Sequence, residues 1–196
     1  MFAALKYFLM NKLYSFLVAT LIAASFCNSL QAQSEKEQFI NVSVGIGLVA
    51  PYDESTVDAN GFYAQGEYVL KVLSWFDVRP YAGVIFASGG SDEPELQQYK
   101  MKANAFMLGT KVRVLAPIPY VAPFVESGVG MSAGNFQTYT EYTDVKKSGV
   151  LLHIPFALGL ALGRNHNFEV KFTYYYHNAA EQFSGAVAAG YSFPLN

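Results

Sequence analysis

Polar and apolar residues alternate with a period of two along most of the chain after residue 38. In the segment 150–163 the even-numbered positions up to Leu162 are large and apolar, whereas most odd-numbered positions carry Gly, Ala, His or Pro. The segment 168–177 repeats the pattern, with Phe, Val and Tyr alternating with Glu, Lys, Thr, Tyr and His. A period of two is that of a β-strand with two unlike faces, so the pattern predicts strands and not helices.

Eight segments of the chain share this alternation. They are 39–48, 62–72, 76–86, 106–114, 120–131, 150–163, 168–177 and 183–193. Each is about ten residues long, the length with which a tilted strand crosses a bilayer. The predicted fold class is therefore all-β: an eight-stranded antiparallel up-and-down transmembrane β-barrel.

The connections between these segments also alternate. Short turns are predicted at 74–75, 116–118 and 164–166, and long polar loops at 51–60, 88–100 and 133–148, with an intermediate one at 178–182. The short turns and both termini of the barrel then lie at one end. Outer-membrane barrels combine short periplasmic turns with longer external loops, so this asymmetry favours such a barrel.

Composition decides which face of the strands meets solvent. A soluble lipocalin-like calyx, which binds an apolar ligand, would place its apolar face inside. Here the polar faces carry mostly Gly, Ala and Ser, and charged residues make up only 14% of the chain against aromatics at 16%. A soluble domain averages roughly 25% charged residues. The composition favours an apolar, lipid-facing exterior and leaves the calyx as an alternative.

The N-terminus has the features of an export signal. Lys6 and Lys12 precede an apolar run from Phe16 to Phe26, which Cys27-Asn28-Ser29-Leu30-Gln31-Ala32 follows, with cleavage expected near Ala32. This run is shorter than the roughly 20 apolar residues of a transmembrane helix. We expect a cleaved signal peptide at 1–32, a short segment at 33–38 and a barrel domain at 39–196. The only cysteine, Cys27, lies within the expected signal.

Net charge narrows the possible partners. The formal charge is −2 at pH 7, which gives no basic surface for nucleic acid. The first two long loops are acidic and are expected to be exposed to water. Alternatively, their carboxylates could bridge divalent cations at a lipopolysaccharide surface. The acidic residues are Asp53, Glu54, Asp58, Asp92, Glu93 and Glu95. We expect no cofactor and no protein metal site, since no histidine pair has metal-ligand spacing along the chain.

From residue 39 to residue 196 the chain resembles the small outer-membrane β-barrels, the OmpA-transmembrane and OmpX-like group of porin-like proteins. The terminal Tyr191-Ser192-Phe193 is similar to the assembly signal of such barrels, although Pro194-Leu195-Asn196 follows it. The resemblance implies the outer membrane of a Gram-negative cell envelope. It also implies contact with outer-membrane lipid and lipopolysaccharide, insertion by the barrel-assembly machinery, and a structural or surface-interaction role.

Charged residues on the polar faces form the first candidate site. Nine of them point into the predicted barrel: Glu67, Lys71, Asp77, Arg79, Lys111, Arg113, Glu126, Glu169 and Lys171. Eight strands enclose an interior that side chains fill. Because an unpaired buried charge is very unfavourable, we expect a network of ion pairs. A narrow pore for ions is the alternative.

The segment from Gly159 to Ala180 resembles the end of the lipid A deacylases, the acyloxyacyl hydrolase-like barrels. His177 matches the histidine of that family, but the nucleophilic serine is replaced by Ala179 and the next position is Ala180. Alanine cannot supply the hydroxyl that such a hydrolase needs. His177 is thus only a weak catalytic candidate, and we expect a non-enzymatic protein. The other histidines, His153 and His166, fall on a polar strand face and in a short turn.

Overall fold

The computed structural model describes residues 37–52, 57–90, 98–177 and 179–195, and these form one closed antiparallel barrel. Its strands are β1 (Gln38–Pro51), β2 (Ala59–Leu73), β3 (Phe76–Gly90), β4 (Lys100–Leu115), β5 (Val121–Tyr139), β6 (Asp144–Leu162), β7 (Phe168–His177) and β8 (Gln182–Leu195). The expected signal peptide at 1–32 lies outside the described residues. Among the described residues, no helix is long and apolar enough to cross a membrane.

The barrel closes by pairing of the first strand with the last. Each strand pairs with its neighbour in the chain, and β1 pairs with β8 along its whole length, for example at Ile40↔Phe193 and Val44↔Ala189. Closure removes the unpaired sheet edges that would otherwise be exposed to lipid. The predicted eight-stranded up-and-down barrel is confirmed.

The two faces of the strands differ as the alternation predicts. On the outside of β6, Val150, Leu152 and Ile154 are 66%, 77% and 51% exposed, whereas Ala157 and Ala161 on the inside are buried. Large apolar side chains cover the exterior of the other strands as well, and the buried interior holds most of the charged strand residues. This polarity is the reverse of a soluble calyx, so the exterior is suited to lipid and not to water.

The prediction of a long loop at 133–148 is wrong. Strands β5 and β6 continue through it to a tight turn, in which the Thr140 amide donates to the Thr143 carbonyl at 2.8 Å. The outward side chains of these residues are polar, so the alternation of apolar and polar positions does not extend into them. A strand that extends beyond the lipid-facing part of the barrel keeps its backbone hydrogen bonds, but its outward side chains meet water and are polar. The alternation of apolar and polar residues that predicts a strand is then lost.

The resulting β5–β6 hairpin is taller than its neighbour on one side. The pairing of β6 with β7 begins only at Ile154↔Tyr176, whereas β5 and β6 pair up to Tyr139↔Asp144. The connections after β1 and β3 are the long ones at this end of the barrel. The opposite end has the connections β2–β3, β4–β5 and β6–β7 and both ends of the described barrel.

Candidate functional site

The chemistry-bearing side chains lie in the lumen, because the inward face of each strand carries them there. They form two clusters. The half of the lumen near the short turns holds the ionised residues, and the half near the β5–β6 hairpin holds tyrosine, histidine and hydroxyl side chains.

Glu67 on β2 lies at the centre of the ionised cluster. It accepts hydrogen bonds from Lys111 Nζ at 2.8 Å, from Lys171 Nζ at 2.5 Å and from Arg79 Nη1 at 2.8 Å. These cations come from three different strands, so a single carboxylate connects both sides of the barrel. Its other neighbour, Gln65, donates at 2.6 Å and completes its hydrogen bonding.

A second group of carboxylates surrounds Arg113 on β4. Its Nε donates to Glu126 at 2.6 Å and its Nη2 to Glu169 at 2.8 Å. The guanidinium also lies 3.5 Å from the centre of the Phe124 ring, so it is stacked as well as paired. Lys111 bridges the two groups, because it donates to Glu126 at 2.7 Å as well as to Glu67.

The cluster is balanced in charge. Four acids face four bases, which are Glu67, Asp77, Glu126 and Glu169 with Arg79, Lys111, Arg113 and Lys171. Lys71, the ninth predicted member, is not brought into it. This lysine lies at the rim of the barrel and pairs with Glu37 at 2.7 Å, where the side chains are 39% and 64% exposed.

The cluster also closes the lumen at its level. Lys111 and Glu126 are 0% exposed, Lys171 and Glu169 are 1% exposed, and Glu67 and Arg113 are 2% exposed. Side chains lining a passage wide enough for water would be accessible to water. Their burial therefore indicates that the eight-stranded interior is filled here, as expected for a barrel of this size.

The second cluster starts from a row of four residues across adjacent strands. Tyr81, Gly109, Gly130 and His153 lie side by side on β3, β4, β5 and β6. The pairing of Gly130 with His153 completes the row. The two glycines leave room for the Tyr81 side chain to lie across β4 and β5, and its hydroxyl forms a hydrogen bond with His153 Nε2. A Cβ at Gly109 would be 2.7 Å from the Tyr81 oxygen, and one at Gly130 would be 2.5 Å from His153 Nε2.

Ser132 joins the two luminal histidines. Its Oγ lies 2.7 Å from His153 Nδ1 and 2.9 Å from His177 Nε2. A serine has one hydroxyl proton, so it donates to one imidazole and accepts from the other. The result is a chain of hydrogen bonds, Tyr81–His153–Ser132–His177, in which the tautomer of one imidazole is coupled through Ser132 to that of the other.

Two tyrosines lie between this neutral cluster and the ionised one, and the ring of Tyr175 packs edge-on against that of His153 with 5.2 Å between the ring centres. Tyr63 and Tyr175 share a hydrogen bond of 2.9 Å, and Tyr63 donates to the Gln65 oxygen at 2.8 Å. The amide nitrogen of Gln65 then donates to Glu67. The Tyr175 side chain is 0% exposed, as is Tyr63, so the hydrogen-bonded chain lies entirely inside the barrel.

Sequence reasoning did not single out Tyr81, Ser132, Tyr63 or Tyr175. It also treated His153 and His177 as separate, although their ring centres are 5.4 Å apart. One signal could have paired them. The turn between β6 and β7 is centred on Asn165, and counting outward from it places position 153 opposite position 177, in line with the observed pairing Ile154↔Tyr176.

The structure places His177, the weak catalytic candidate, inside the barrel. Its side chain is 1% exposed and lies in the lumen, and the hydroxyl that it contacts, on Ser132, is 0% exposed. Ala179 is exposed and has no hydroxyl. The third histidine, His166, lies in a turn, where a ring nitrogen is 3.0 Å from the Ile118 carbonyl. Within the described residues, no group of three or more His, Cys, Asp or Glu side chains could hold a metal ion.

Comparisons with known proteins identify the architecture. No known protein family and no curated protein matches the sequence. Among solved structures, Neisserial surface protein A is similar with a TM-score of 0.54 at 11% identity, covering 79% of this chain and 95% of the other. The outer-membrane protein OprG from Pseudomonas aeruginosa has a TM-score of 0.50 at 11% identity, covering 82% and 98%.

The fold is that of a small outer-membrane β-barrel. The apolar exterior and the polar lumen agree with this fold and locate the protein in the outer membrane. The outer-membrane enzyme PagL is also similar, with a TM-score of 0.45 at 13% identity, covering 79% of this chain and 99% of the other. A likeness of that level does not bear on enzymatic activity.

Proposed function

We propose that the protein is a structural component of the outer membrane whose lumen is closed, and that it meets the cell surface through the β5–β6 hairpin. The observation that carries the proposal is the ionised cluster. Its eight side chains pair with one another, and the most deeply buried of them leave no water-wide passage at their level. A conducting pore would need at least some of these charges to face water.

The orientation of the barrel follows from its two ends. The short turns and the chain ends lie together, and small outer-membrane barrels keep this end in the periplasm. The opposite end, with the longer connections and the β5–β6 hairpin, then lies outside the cell. In this orientation the ionised cluster is in the periplasmic half of the lumen and the Tyr81–His153–Ser132–His177 chain is in the outer half.

A catalytic role has less support. A lipid hydrolase would have to present its nucleophile and histidine to the lipid-facing exterior, because its substrate enters from the bilayer. Here the serine and both histidines that contact each other are buried in the lumen. Their mutual hydrogen bonds suit a packing role, since a buried polar group must find a partner.

Conductance across a planar bilayer tests the proposal. The purified, refolded protein is expected to add no steady conductance above that of the lipid alone. A double variant, Lys111→Ala with Glu126→Ala, removes one buried pair without changing the net charge and shortens both side chains. It is expected to show openings and so demonstrates that the assay detects a passage at this level.

Steady single-channel openings by the wild-type protein would contradict the closed lumen. Release of fatty acid from lipid A-containing vesicles by the wild-type protein, lost in the Ser132→Ala variant, would contradict the non-enzymatic role. Both assays are interpreted only for samples that shift in electrophoretic mobility on boiling, because such a shift reports a folded barrel.

A further inference from the structure

The part of β6 nearest the hairpin tip has a free backbone edge. Strand β6 pairs with β5 from Asp144 to Leu162, but β7 ends at His177 and its pairing with β6 begins only at Ile154. In the part of the chain that the structure describes, no strand pairs with β6 on this side between residues 144 and 153. We call this stretch the β6 edge. It borders a notch in the barrel wall, and the end of β7 forms the floor of the notch.

Alternate residues of the β6 edge direct their backbone groups into the notch. At the tip of the hairpin the Thr140 amide donates to the Thr143 carbonyl, so these two residues form a hydrogen-bonded pair. Hydrogen-bonded and non-hydrogen-bonded pairs alternate along an antiparallel ladder, and the register of β5 with β6 does not shift along this stretch. The N–H and C=O groups of the even-numbered residues from 144 to 152 therefore face away from β5. A row of unpaired backbone groups is a template for another strand.

Side chains along the β6 edge change from charged to apolar. Lys146 and Lys147 lie near the tip of the hairpin, whereas Val150 and Leu152 lie close to the floor of the notch. Val150 and Leu152 are 66% and 77% exposed, but Leu158, which has β7 beside it, is 49% exposed. The missing neighbour explains the difference, because side chains on adjacent strands cover one another.

Gly149 separates the charged part of the edge from the apolar part. Its φ is +114°, in the region that favours glycine, and a Cβ built on it meets no described atom within 4 Å. Its pairing with Gly134 continues the ladder with β5. The edge is thus uncovered at its centre and offers two short segments for pairing, 144–148 and 150–152.

We infer that the β6 edge binds an extended acidic segment of another protein by strand addition. The segment fills the notch, runs antiparallel to β6 as β7 does, and extends the sheet by one strand. Its first residues are apolar and pack beside Val150 and Leu152, and its last residues are acidic and lie opposite Lys146 and Lys147. Main-chain hydrogen bonds provide the affinity, and the two lysines disfavour a basic segment.

A second copy of the chain in the same membrane fits the edge less well. Both copies carry Lys146 and Lys147, and Asp144 at the tip offsets only one of these charges, so pairing two such edges brings like charges together. Two barrels inserted with the same orientation also present β6 strands that run in the same direction, which excludes antiparallel pairing. The inference deepens the proposed surface role and rests on the outward position of the β5–β6 hairpin.

Fluorescence anisotropy of a labelled peptide tests the site on the refolded full-length barrel in detergent. The probe spans the length of the β6 edge, with Val and Thr in its first half and Glu alternating with Thr in its second half. The wild-type barrel is expected to bind this peptide and not a version in which Lys replaces Glu. Hydrogen exchange at the even-numbered amides from 144 to 152 is expected to slow when the peptide is bound, because these amides then donate to it.

Ser148 provides a variant that removes one pairing group of the edge. Ser148→Pro deletes a backbone N–H that faces the notch and leaves the hydrogen bonds to β5 in place, which is where strands tolerate proline. Ser148→Ala is the matched control, because both substitutions remove the hydrogen bond from Ser148 to Asn135 at 2.8 Å. The proline variant is expected to bind the peptide about threefold to tenfold more weakly, as for one lost hydrogen bond, and the alanine variant like wild type.

The two lysines test the choice of an acidic segment. The double variant Lys146→Gln with Lys147→Gln keeps every backbone group of the edge and removes its positive charge. It is expected to bind the Glu peptide about twofold to tenfold more weakly and to lose the preference over the Lys peptide. The double variant Lys146→Arg with Lys147→Arg keeps the charge and is expected to bind like wild type.

Several outcomes would overturn the inference. They are the absence of binding by the wild-type barrel, equal binding by the Ser148→Pro and Ser148→Ala variants, unchanged exchange at the even-numbered amides, and equal affinity for the Glu and Lys peptides. Dimerisation of the barrel that the peptide does not displace would assign the β6 edge to a second copy instead. Every variant is checked for its mobility shift on boiling and for conductance, so failure of the peptide site is distinguished from failure of the closed lumen.

Discussion

The two halves of the lumen are filled by different kinds of polar side chain. Both must fill a narrow space with polar side chains. The half near the short turns uses ionised groups, in which Glu67 alone accepts from three cations. The half near the β5–β6 hairpin uses neutral groups that share protons, as Ser132 does between His153 and His177. Removing one partner has different consequences in the two halves, since an unpaired buried charge is far more unfavourable than an unpaired hydroxyl.

The largest effect is expected from Glu67→Gln, which nearly preserves shape and removes the central negative charge. The three cations around it lose their common partner, so the free energy of unfolding is expected to fall by about 3–5 kcal/mol. Denaturant unfolding in detergent micelles measures the change. Trp75, the only tryptophan, is 46% exposed at the short-turn end and reports the transition by fluorescence.

A second substitution shows whether charge is the cause. In the double variant Glu67→Gln with Lys111→Met, one cation is removed together with the carboxylate. If unpaired charge dominates, the double variant regains about half of the lost stability, because the two changes are coupled. Additive losses would show that the cluster acts through packing, and the contrast between the two halves would then be wrong.

The next largest loss of stability is expected from Gly130→Ala, which fills the space between Tyr81 and His153. In Gly130→Ala the new Cβ would lie 2.5 Å from His153 Nε2 and 2.8 Å from the Leu108 carbonyl, so the row must shift. Overpacking of this kind is expected to lower the free energy of unfolding by about 1–3 kcal/mol. The same denaturant titration measures it.

Gly66 provides the control for a glycine in a strand. A Cβ there would meet nothing closer than the Ala82 carbonyl at 4.0 Å. Gly66→Ala is therefore expected to be neutral or slightly stabilising, since alanine loses less conformational freedom on folding than glycine. Equal destabilisation by both variants would mean that the space around Gly130 is not the reason for its glycine.

Features of the lumen that depend on a single strand can be predicted from the sequence, whereas features that depend on the pairing of several strands cannot. The inward position of Glu67, Arg79 and Lys111 follows from alternation within a strand. The exclusion of Lys71 does not, because its side chain lies where β2 reaches the rim and meets Glu37 from the segment before β1. Parity predicts the face of a residue but not its height in the barrel.

The neutral cluster requires the register of neighbouring strands. Tyr81 reaches His153 only because Gly109 and Gly130 lie between them in one row, and each of these residues is unremarkable within its own strand. The β5–β6 hairpin was missed for a related reason. Its outward side chains become polar above the apolar band while the inward Phe136 stays buried, so the hydrophobic pattern ends before the strand does.

A smaller effect is expected from Ser132→Ala, which removes the hydroxyl shared by the two histidines. Both imidazoles lose a partner but keep their neutral state, so the expected loss is about 1–2 kcal/mol. Ser132→Thr keeps the hydroxyl and serves as the control, with its extra methyl group as the only added volume. A loss as large as that of Glu67→Gln would contradict the distinction between the neutral and ionised halves.

The smallest effect is expected at the rim, where an ion pair exists without burial. Lys71 and Glu37 are 2.7 Å apart, closer than several pairs in the lumen, yet their side chains are 39% and 64% exposed. Water screens such a pair, so Lys71→Gln is expected to change the free energy of unfolding by less than about 1 kcal/mol. The effect should diminish further as salt is added, whereas that of Glu67→Gln should not, because ions do not enter the buried cluster. An equal response of both variants to salt would show that water and ions enter the lumen. It would contradict both the closed lumen and the distinction between the buried cluster and the exposed pair at the rim.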